Sequence, residues 1–338
     1  MLTLLICGGA GFIGSNFTHY WLKTRTNWNV IVFDKLTYAG NLDNLIDLAE
    51  NPRFKFVEGD ICDEKATEAV VSESDVIVNF AAETHVDRSL LDPGAFILTD
   101  VYGTHILLES VVRNRERVQT FLQISSDEVY GTVIGKGAIE ESLLAPSSPY
   151  SASKAGGDMM TLAYQTTYRF PVLITRSTNN FGPFQHPEKF MPLFITNAIN
   201  DLPLPVYGDG LQIRDWLYVL DHSTGIADVL EKGKSGEIYN IGANNEKSNI
   251  EVAKLILDFL DKPHTLIRHV DDRPGHDRRY AVDCSKIGTL GWKTRFSFEN
   301  ALEKTVRWYL DQKDWWQPIR NSKAFTTYYD QVYGTRLN

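Results

Sequence analysis

A short apolar run, Leu2–Cys7, ends in Gly8-Gly9-Ala10-Gly11-Phe12-Ile13-Gly14 and passes at once into a stretch of helical period, Phe12–Thr24. A strand that turns directly into a helix returns to its sheet by a crossover, and crossovers join parallel strands. The alternation continues. Asn29–Phe33, Phe54–Val57, Asp75–Phe80, Thr120–Ile124 and Val172–Arg176 read as further strands, and Thr99–Arg113 as a further helix. Val76-Ile77-Val78 is apolar at every position, as a strand covered on both faces requires. Beyond about residue 178, Pro183, Pro187, Pro192, Pro203 and Pro205 break up long elements. Regular pieces resume at Glu237–Ile241, Asn249–Leu260 and Phe298–Leu310.

The expected fold is therefore α/β: a doubly wound parallel sheet of Rossmann type over residues 1–178, with a smaller C-terminal α/β substrate domain over 179–338 and segments crossing between the two. With 338 residues, 43% of them hydrophobic and 23% charged, the chain has the composition of a protein that buries a core. A net charge of −9 with no long basic run argues against nucleic acid as a partner. No apolar run is expected to reach the ~18 residues that cross a bilayer. The N-terminus has no basic flank and reads as a strand, not as a signal peptide. Cys7, Cys62 and Cys284 are few, odd in number and far apart, so no disulfide framework is implied and a reducing cytoplasm is the expected compartment. The aromatic tail, with Trp315-Trp316 and Tyr328-Tyr329, reads as packing surface, with a site role for one of its tyrosines as the lesser alternative.

Three constellations carry chemistry. Gly8, Gly11 and Gly14 stand between a strand and a helix, where backbone N–H groups approach a phosphate closely. Asp34 closes the second strand twenty residues after Gly14, where a carboxylate bonds a ribose 2′-hydroxyl and disfavours a 2′-phosphate. The implied cofactor is NAD. No Lys-Ser/Thr follows the loop, which excludes an ATP-type P-loop. The second constellation is Tyr150-Ser151-Ala152-Ser153-Lys154. Positions i and i+4 share a helix face, and a neighbouring cation is expected to lower the phenol's pKa and make Tyr150 a proton acceptor. In the third, Ser126-Asp127-Glu128 follows the fifth strand, at the sheet edge where such folds place ligands. Beyond the strand both carboxyls can reach one substrate, an arrangement suited to delivering and removing protons. The histidines lack metal-ligand spacing, and no metal is implied.

The glycine loop and the Tyr-x-x-x-Lys pair resemble the extended short-chain dehydrogenase/reductases. The Ser126-Asp127-Glu128 triplet is similar to the Thr-Asp-Glu of the dTDP-glucose 4,6-dehydratase family. So are Asp34–Asn41, Ala81–Ser89, Asn179–Pro183, Pro187–Lys189, Gly208–Trp216 and Arg273–Tyr280, and the likeness runs from residue 1 to at least 310. Epimerases of this fold lack the Asp-Glu pair, and GDP-mannose dehydratases usually carry Thr-Ser-Glu there. Three positions depart from the family pattern: Cys7 and Ser126 replace threonines, and Asp100 stands after Thr99 where asparagine is common.

The resemblance implies an internal redox dehydration of a nucleotide-activated glucose to its 4-keto-6-deoxy product. Tyr150 would take the C4 hydroxyl proton, Glu128 the C5 proton, and Asp127 would protonate the departing C6 hydroxyl, with Lys154 and the Ser126 hydroxyl assisting. Asp127 would have to be protonated, and crowding by Glu128 is one cause. To the cofactor the resemblance assigns Gly8, Gly11, Phe12, Ile13, Gly14, Asp34, Lys35, Thr37, Gly40, Asp60, Ile61, Ala81, Ala82, Thr99, Tyr150, Lys154 and Asn180. To the nucleotide sugar it assigns Thr84, Ser126, Asn179, Lys189, Phe190, Pro205, Tyr207, Arg214, Asn249, Arg273 and His276, with Arg214 and Arg273 on the pyrophosphate. It also implies a homodimer built on a four-helix bundle from Thr99–Arg113 and Tyr150–Tyr168. The alternatives are a UDP-glucose 4,6-dehydratase, another nucleotide-sugar epimerase or dehydratase, and a non-catalytic NAD-binding sensor. A sensor typically loses the tyrosine or lysine that this chain keeps.

Overall fold

The computed structural model describes residues 1–272, 276–334 and 336. Its strands are β1 (Leu2–Cys7), β2 (Trp28–Asp34), β3 (Phe54–Glu58), β4 (Val76–Asn79), β5 (Thr120–Ser126), β6 (Val172–Ser177), β7 (Asn179–Phe181), β8 (Leu204–Tyr207), β9 (Ile213–Tyr218), β10 (Ile238–Ile241), β11 (Glu246–Ser248) and β12 (Ile267–Val270). Seven of them form one sheet in the order β10-β6-β5-β4-β1-β2-β3. Every pairing in it is parallel, as the strand–helix alternation requires. The chain winds outward from β1 to β3, then crosses back to β4, so the order reverses between β1 and β4. Helices cover both faces, and β4 is buried at all four residues. Two polar side chains inside the sheet satisfy each other, with Asn79 donating to Gln123 at 3.0 Å across the β4–β5 pair.

The last sheet strand, β10, comes from the second half of the chain and pairs with β6. The rest of that half builds its own core. Phe181, Phe194, Trp216, Leu257, Leu302 and Trp316 pack together over two small sheets, β11-β9-β7 and β12-β8. The aromatic tail closes this lobe. Trp316 is buried and donates to Tyr309 O at 2.7 Å, and Trp315 donates to Asn44 at 2.8 Å, tying the tail to the first lobe. Cys7 lies in the apolar core, and all three cysteines are free thiols.

Residues Pro93–Arg113 form one continuous helical rod, with a π-helical stretch at Ile97–Gly103. By length and composition this rod reaches what a membrane span needs, contrary to the expectation from sequence, and half of it is buried in the protein. Its polar residues are few because Ile106, Leu107, Leu108 and Val111 face the core. Outward-facing Leu90, Leu91, Ile97, Leu98 and Tyr102 are exposed, as are Met159 and Tyr168 on the helix Pro149–Tyr168. On that second helix Met160 and Tyr164 pack inward, so its apolar residues serve two faces.

Candidate active site

The order reversal between β1 and β4 opens a crevice at the C-terminal ends of the strands, where this sheet type takes its ligands. A cleft of 410 Å³ lies there. Every site residue named from the sequence lines it except Arg273, which lies outside the described residues.

On the β1 side the glycines are required by space. Gly8 has φ +73°, and a Cβ there would stand 2.5 Å from Ala81 N. A Cβ at Gly14 would stand 2.3 Å from Gly8 O. The helix Phe12–Thr24 begins at Gly11 with no side-chain cap, so its first N–H groups point into the cleft as an anion cradle. Asp34 shapes this wall by accepting from Ala10 N at 2.9 Å and from Leu36 N at 2.8 Å. Lys35 pairs with Asp60 at 2.6 Å beside it. These features fit a dinucleotide: a phosphate cradle that any side chain would fill, and a carboxylate at the end of β2.

On the β5 side the strand stops at Ser126, whose hydroxyl accepts from Glu128 N at 3.2 Å and caps a short 3₁₀ turn, Asp127–Tyr130. That turn frees adjacent residues from the strand's alternation, and both Asp127 and Glu128 line the cleft. Asp127 is buried. Its Oδ1 accepts from Ser126 Oγ at 3.3 Å, and its Oδ2 has no hydrogen-bond partner among the described residues. Burial first, then the neighbouring Glu128, holds this carboxyl well above the ordinary range against the pull of Arg214. A cleft-lining carboxyl that stays protonated, with one oxygen left unpaired among the described residues, suits a proton donor to a substrate oxygen.

Tyr150 and Lys154 sit on the first turns of the helix Pro149–Tyr168, started by a Ser148–Ser151 capping box. The expectation that the lysine lowers the tyrosine's pKa is overturned. Burial and then the charges of Glu128 and Asp100 push the phenol well above its usual value. Lys154 is anchored instead on Ile124 O at 2.8 Å. The i,i+4 spacing predicts that the two side chains are neighbours, but not that two carboxylates from other elements outweigh the ammonium.

The opposite wall comes from the second lobe. Arg214 donates to Ile213 O at 2.8 Å and Asp277 O at 3.0 Å, and its guanidinium lies 4.2 Å from the centre of the Tyr280 ring. Lys189 donates to Thr84 at 2.9 Å, and burial lowers its ammonium to about 8. The side-chain oxygens of Asn179 and Asn180 are buried without a hydrogen-bond partner among the described residues, a sign that this wall is built for a polar ligand. His276 pairs with Asp272 at 2.6 Å and stands edge-on to Tyr207.

Several lining residues were not named from the sequence, Tyr280, Glu188 and Tyr333 among them. The Tyr280 hydroxyl lies 2.7 Å from Asp277 and 3.4 Å from Glu128 Oε2. Asp277 in turn accepts from Thr132 and Ser147, so this clasp reaches the segment just before Tyr150. Glu188, beside Lys189, is held by Arg88. Tyr333 of the tail also reaches the cleft and stacks on Tyr207, in line with the lesser of the two readings of that tail. The motif Arg273–Tyr280 and the Pro187–Lys189 segment were the available signals for Tyr280 and Glu188; nothing local marks Tyr333.

A parallel sheet with a dinucleotide cradle, and a carboxyl pair sharing its cleft with a tyrosine–lysine pair, defines a dinucleotide-dependent enzyme with acid–base chemistry. In keeping with this, residues 5–305 match the family model described as GDP-mannose 4,6 dehydratase. The dTDP-glucose 4,6-dehydratase of Streptomyces niveus is 46% identical over 330 residues, 96% of this chain and 98% of that protein. The enzyme of the same name from Escherichia coli is 45% identical, covering 94% of this chain and 96% of its own. The solved DesIV dTDP-glucose 4,6-dehydratase of Streptomyces venezuelae, with NAD bound, superposes with a TM-score of 0.92 at 45% identity, covering 94% of this chain and all of that one. The chain belongs to the dTDP-glucose 4,6-dehydratase family.

Proposed function

We infer that this chain is an NAD-dependent hydro-lyase that converts dTDP-glucose to dTDP-4-keto-6-deoxyglucose. The observation that carries the reading is the buried Asp127 beside Glu128 at the end of β5, sharing one cleft with Tyr150 and Lys154. An epimerase has no step that needs an acid and a base on adjacent carbons.

The cofactor is held along the Gly8–Gly14 loop, Asp34, Asp60 and the Ala81-Ala82 floor. When bound, NAD accepts hydride from C4 and returns it to C6, so it ends as it began. Tyr150 takes the proton of the C4 hydroxyl, and Lys154, anchored on Ile124 O, holds the tyrosine's side of the cleft. The 4-keto group acidifies the C5 hydrogen, which Glu128 removes as the C6 hydroxyl leaves with a proton from Asp127; a proton returns to C5 when hydride reaches C6. Ser126 orients the sugar through its hydroxyl. Tyr280, within 3.4 Å of Glu128, steadies that base. Arg214 takes the pyrophosphate of the substrate, with Asn179, Lys189, Asn249 and His276 around the nucleotide sugar; Arg273 completes this set by resemblance.

The division of labour follows the two halves, 1–178 for the dinucleotide and 179–338 for the nucleotide sugar, with residues such as Thr84, Ser126 and Asn180 serving across that boundary. The active form is a homodimer through the exposed apolar side chains of Ile97, Leu98, Tyr102, Met159 and Tyr168, in the cytoplasm. Incubating the purified protein with dTDP-glucose and, separately, UDP-glucose, then weighing the products, tests the reading. Loss of one water from dTDP-glucose without added NAD is expected. Loss from UDP-glucose alone would change the substrate and keep the chemistry, and unchanged masses would overturn the reading.

A further inference from the structure

The fold places a buried carboxyl, that of Asp100, where two walls of the cleft meet. It lies in the π-helical stretch Ile97–Gly103, a distortion that often accompanies functional positions. It is 2% exposed. Its Oδ1 accepts from Glu83 N at 2.9 Å, and its Oδ2 from Ser153 Oγ at 2.6 Å. Glu83 follows the Ala81-Ala82 floor of the dinucleotide side, and Ser153 adjoins Lys154. One side chain therefore fastens the floor to the helix that carries the tyrosine–lysine pair. The two elements close tightly here, since a Cβ at Gly157 would stand 2.9 Å from Asp100 O.

Neither contact needs a charge. An asparagine would still accept from Glu83 N, and its amide would donate to Ser153 Oγ, whose own proton would then turn to Tyr150 O, 2.8 Å away. What the acid adds is a negative charge in a dry site. The charged and titratable groups that act on it are Lys154, from the tyrosine helix, and Glu83, from the floor. Its own charge acts on Tyr150 in turn, together with that of Glu128. Burial raises the Asp100 carboxyl to about 6, so it is ionised at neutral pH, where its charge opposes a phenolate.

We propose that Asp100 is a positioning residue that acts on the reaction through Tyr150: it clasps the dinucleotide floor to the tyrosine helix, and its carboxylate sets how readily the tyrosine gives up its phenolic proton. The proposal rests on the dehydratase reading for its consequence in turnover, but not for the coupling itself.

The test is a phenolate titration by ultraviolet difference absorbance on the NAD-loaded protein, with Tyr150→Phe as the blank. Removing a facing like charge is expected to move the Tyr150 midpoint down by about 0.5–1 pH unit in Asp100→Asn, roughly three- to tenfold more phenolate at a fixed pH below the midpoint. Asp100→Ser, neutral but without the clasp, should move it the same way. Ser153→Ala, which keeps the charge and loses a contact, should leave it in place. An unmoved midpoint in both neutral variants overturns the proposal, as does an equal shift in Ser153→Ala. The acid limb of kcat/KM with dTDP-glucose should follow the titration. No turnover by the unsubstituted protein would sink the dehydratase reading, while the titration would still decide the coupling between Asp100 and Tyr150.

Discussion

Arg88 grips the buried carboxylate of Glu188 with two nitrogens, Nε at 3.1 and 3.2 Å from its oxygens and a terminal nitrogen at 2.7 Å. The residues are a hundred positions apart, and the pair ties the helix Val86–Leu91 to the segment that presents Lys189. Tyr38 and Tyr328 flank the guanidinium at 3.7 and 4.6 Å. Burial would raise Glu188, but His85, His186, Arg88 and Lys189 outweigh it and hold it at about 2. Arg88→Met would strand a buried charge, and a loss of about 3–5 kcal/mol is expected in urea unfolding at neutral pH. The sign of the pH dependence follows. A carboxyl lowered on folding stabilises fully above its ordinary value and loses that contribution as pH falls toward 2. The gap between Arg88→Met and the unsubstituted protein should therefore narrow in acid.

Asp127→Asn keeps the shape of the acid and removes its proton. Turnover of dTDP-glucose should fall by about 10²–10⁴, the usual worth of a placed general acid. Oxidation at C4 needs only Tyr150, so reduced cofactor should build up on the variant, visible in its absorbance. Because burial keeps Asp127 protonated, the step it serves should fade on the alkaline side as pH climbs through its raised value. A variant that stalls before any reduced cofactor forms would remove Asp127 from this role.

What could be read from the sequence was local. The strand–helix alternation needs only short-range periodicity, and Phe12–Thr24 came out to the residue. The glycine loop and Tyr-x-x-x-Lys are runs of seven and five residues. What escaped depends on distant pairing. Tyr280 meets Glu128 across 152 positions, and no spacing rule links them. The direction of the Tyr150 shift escaped for the same reason: the lysine is visible at i+4, while burial and the carboxylates of Glu128 and Asp100 come from tertiary structure. The apolar rod Pro93–Arg113 shows the opposite failure, a pattern legible in composition whose two faces only packing can separate.

Gly14→Ala tests the cradle directly. The new Cβ would lie 2.3 Å from Gly8 O, a backbone atom that cannot swing away. Overpacking of this kind costs roughly 1–3 kcal/mol. Cofactor retention should fall by roughly 5- to 150-fold, at 1.4 kcal/mol per tenfold change. The NAD content of the purified variant, released by denaturation and assayed enzymatically, reads this, and content equal to the unsubstituted protein would refute the clash.

Leu98→Glu addresses the proposed dimer. Leu98 is 59% exposed on the π-helical stretch, with Ile97 at 60% and Tyr102 at 46% on the same stretch, while Asp100 between them turns inward. So much exposed apolar surface on one short segment is unusual for a monomer and ordinary for an interface between copies. A carboxylate placed there would have to be desolvated without a partner, a cost of several kcal/mol repeated by symmetry on both subunits. Sedimentation should show a dimer for the unsubstituted chain and a monomer for the variant at micromolar concentration. The same rod carries Asp100, which holds Glu83 beside the floor of the cleft, so loss of the interface should also loosen the clasp to Ser153 and lower turnover. A monomeric variant with full activity would separate the interface from the site, and a dimeric one would move the interface to another face.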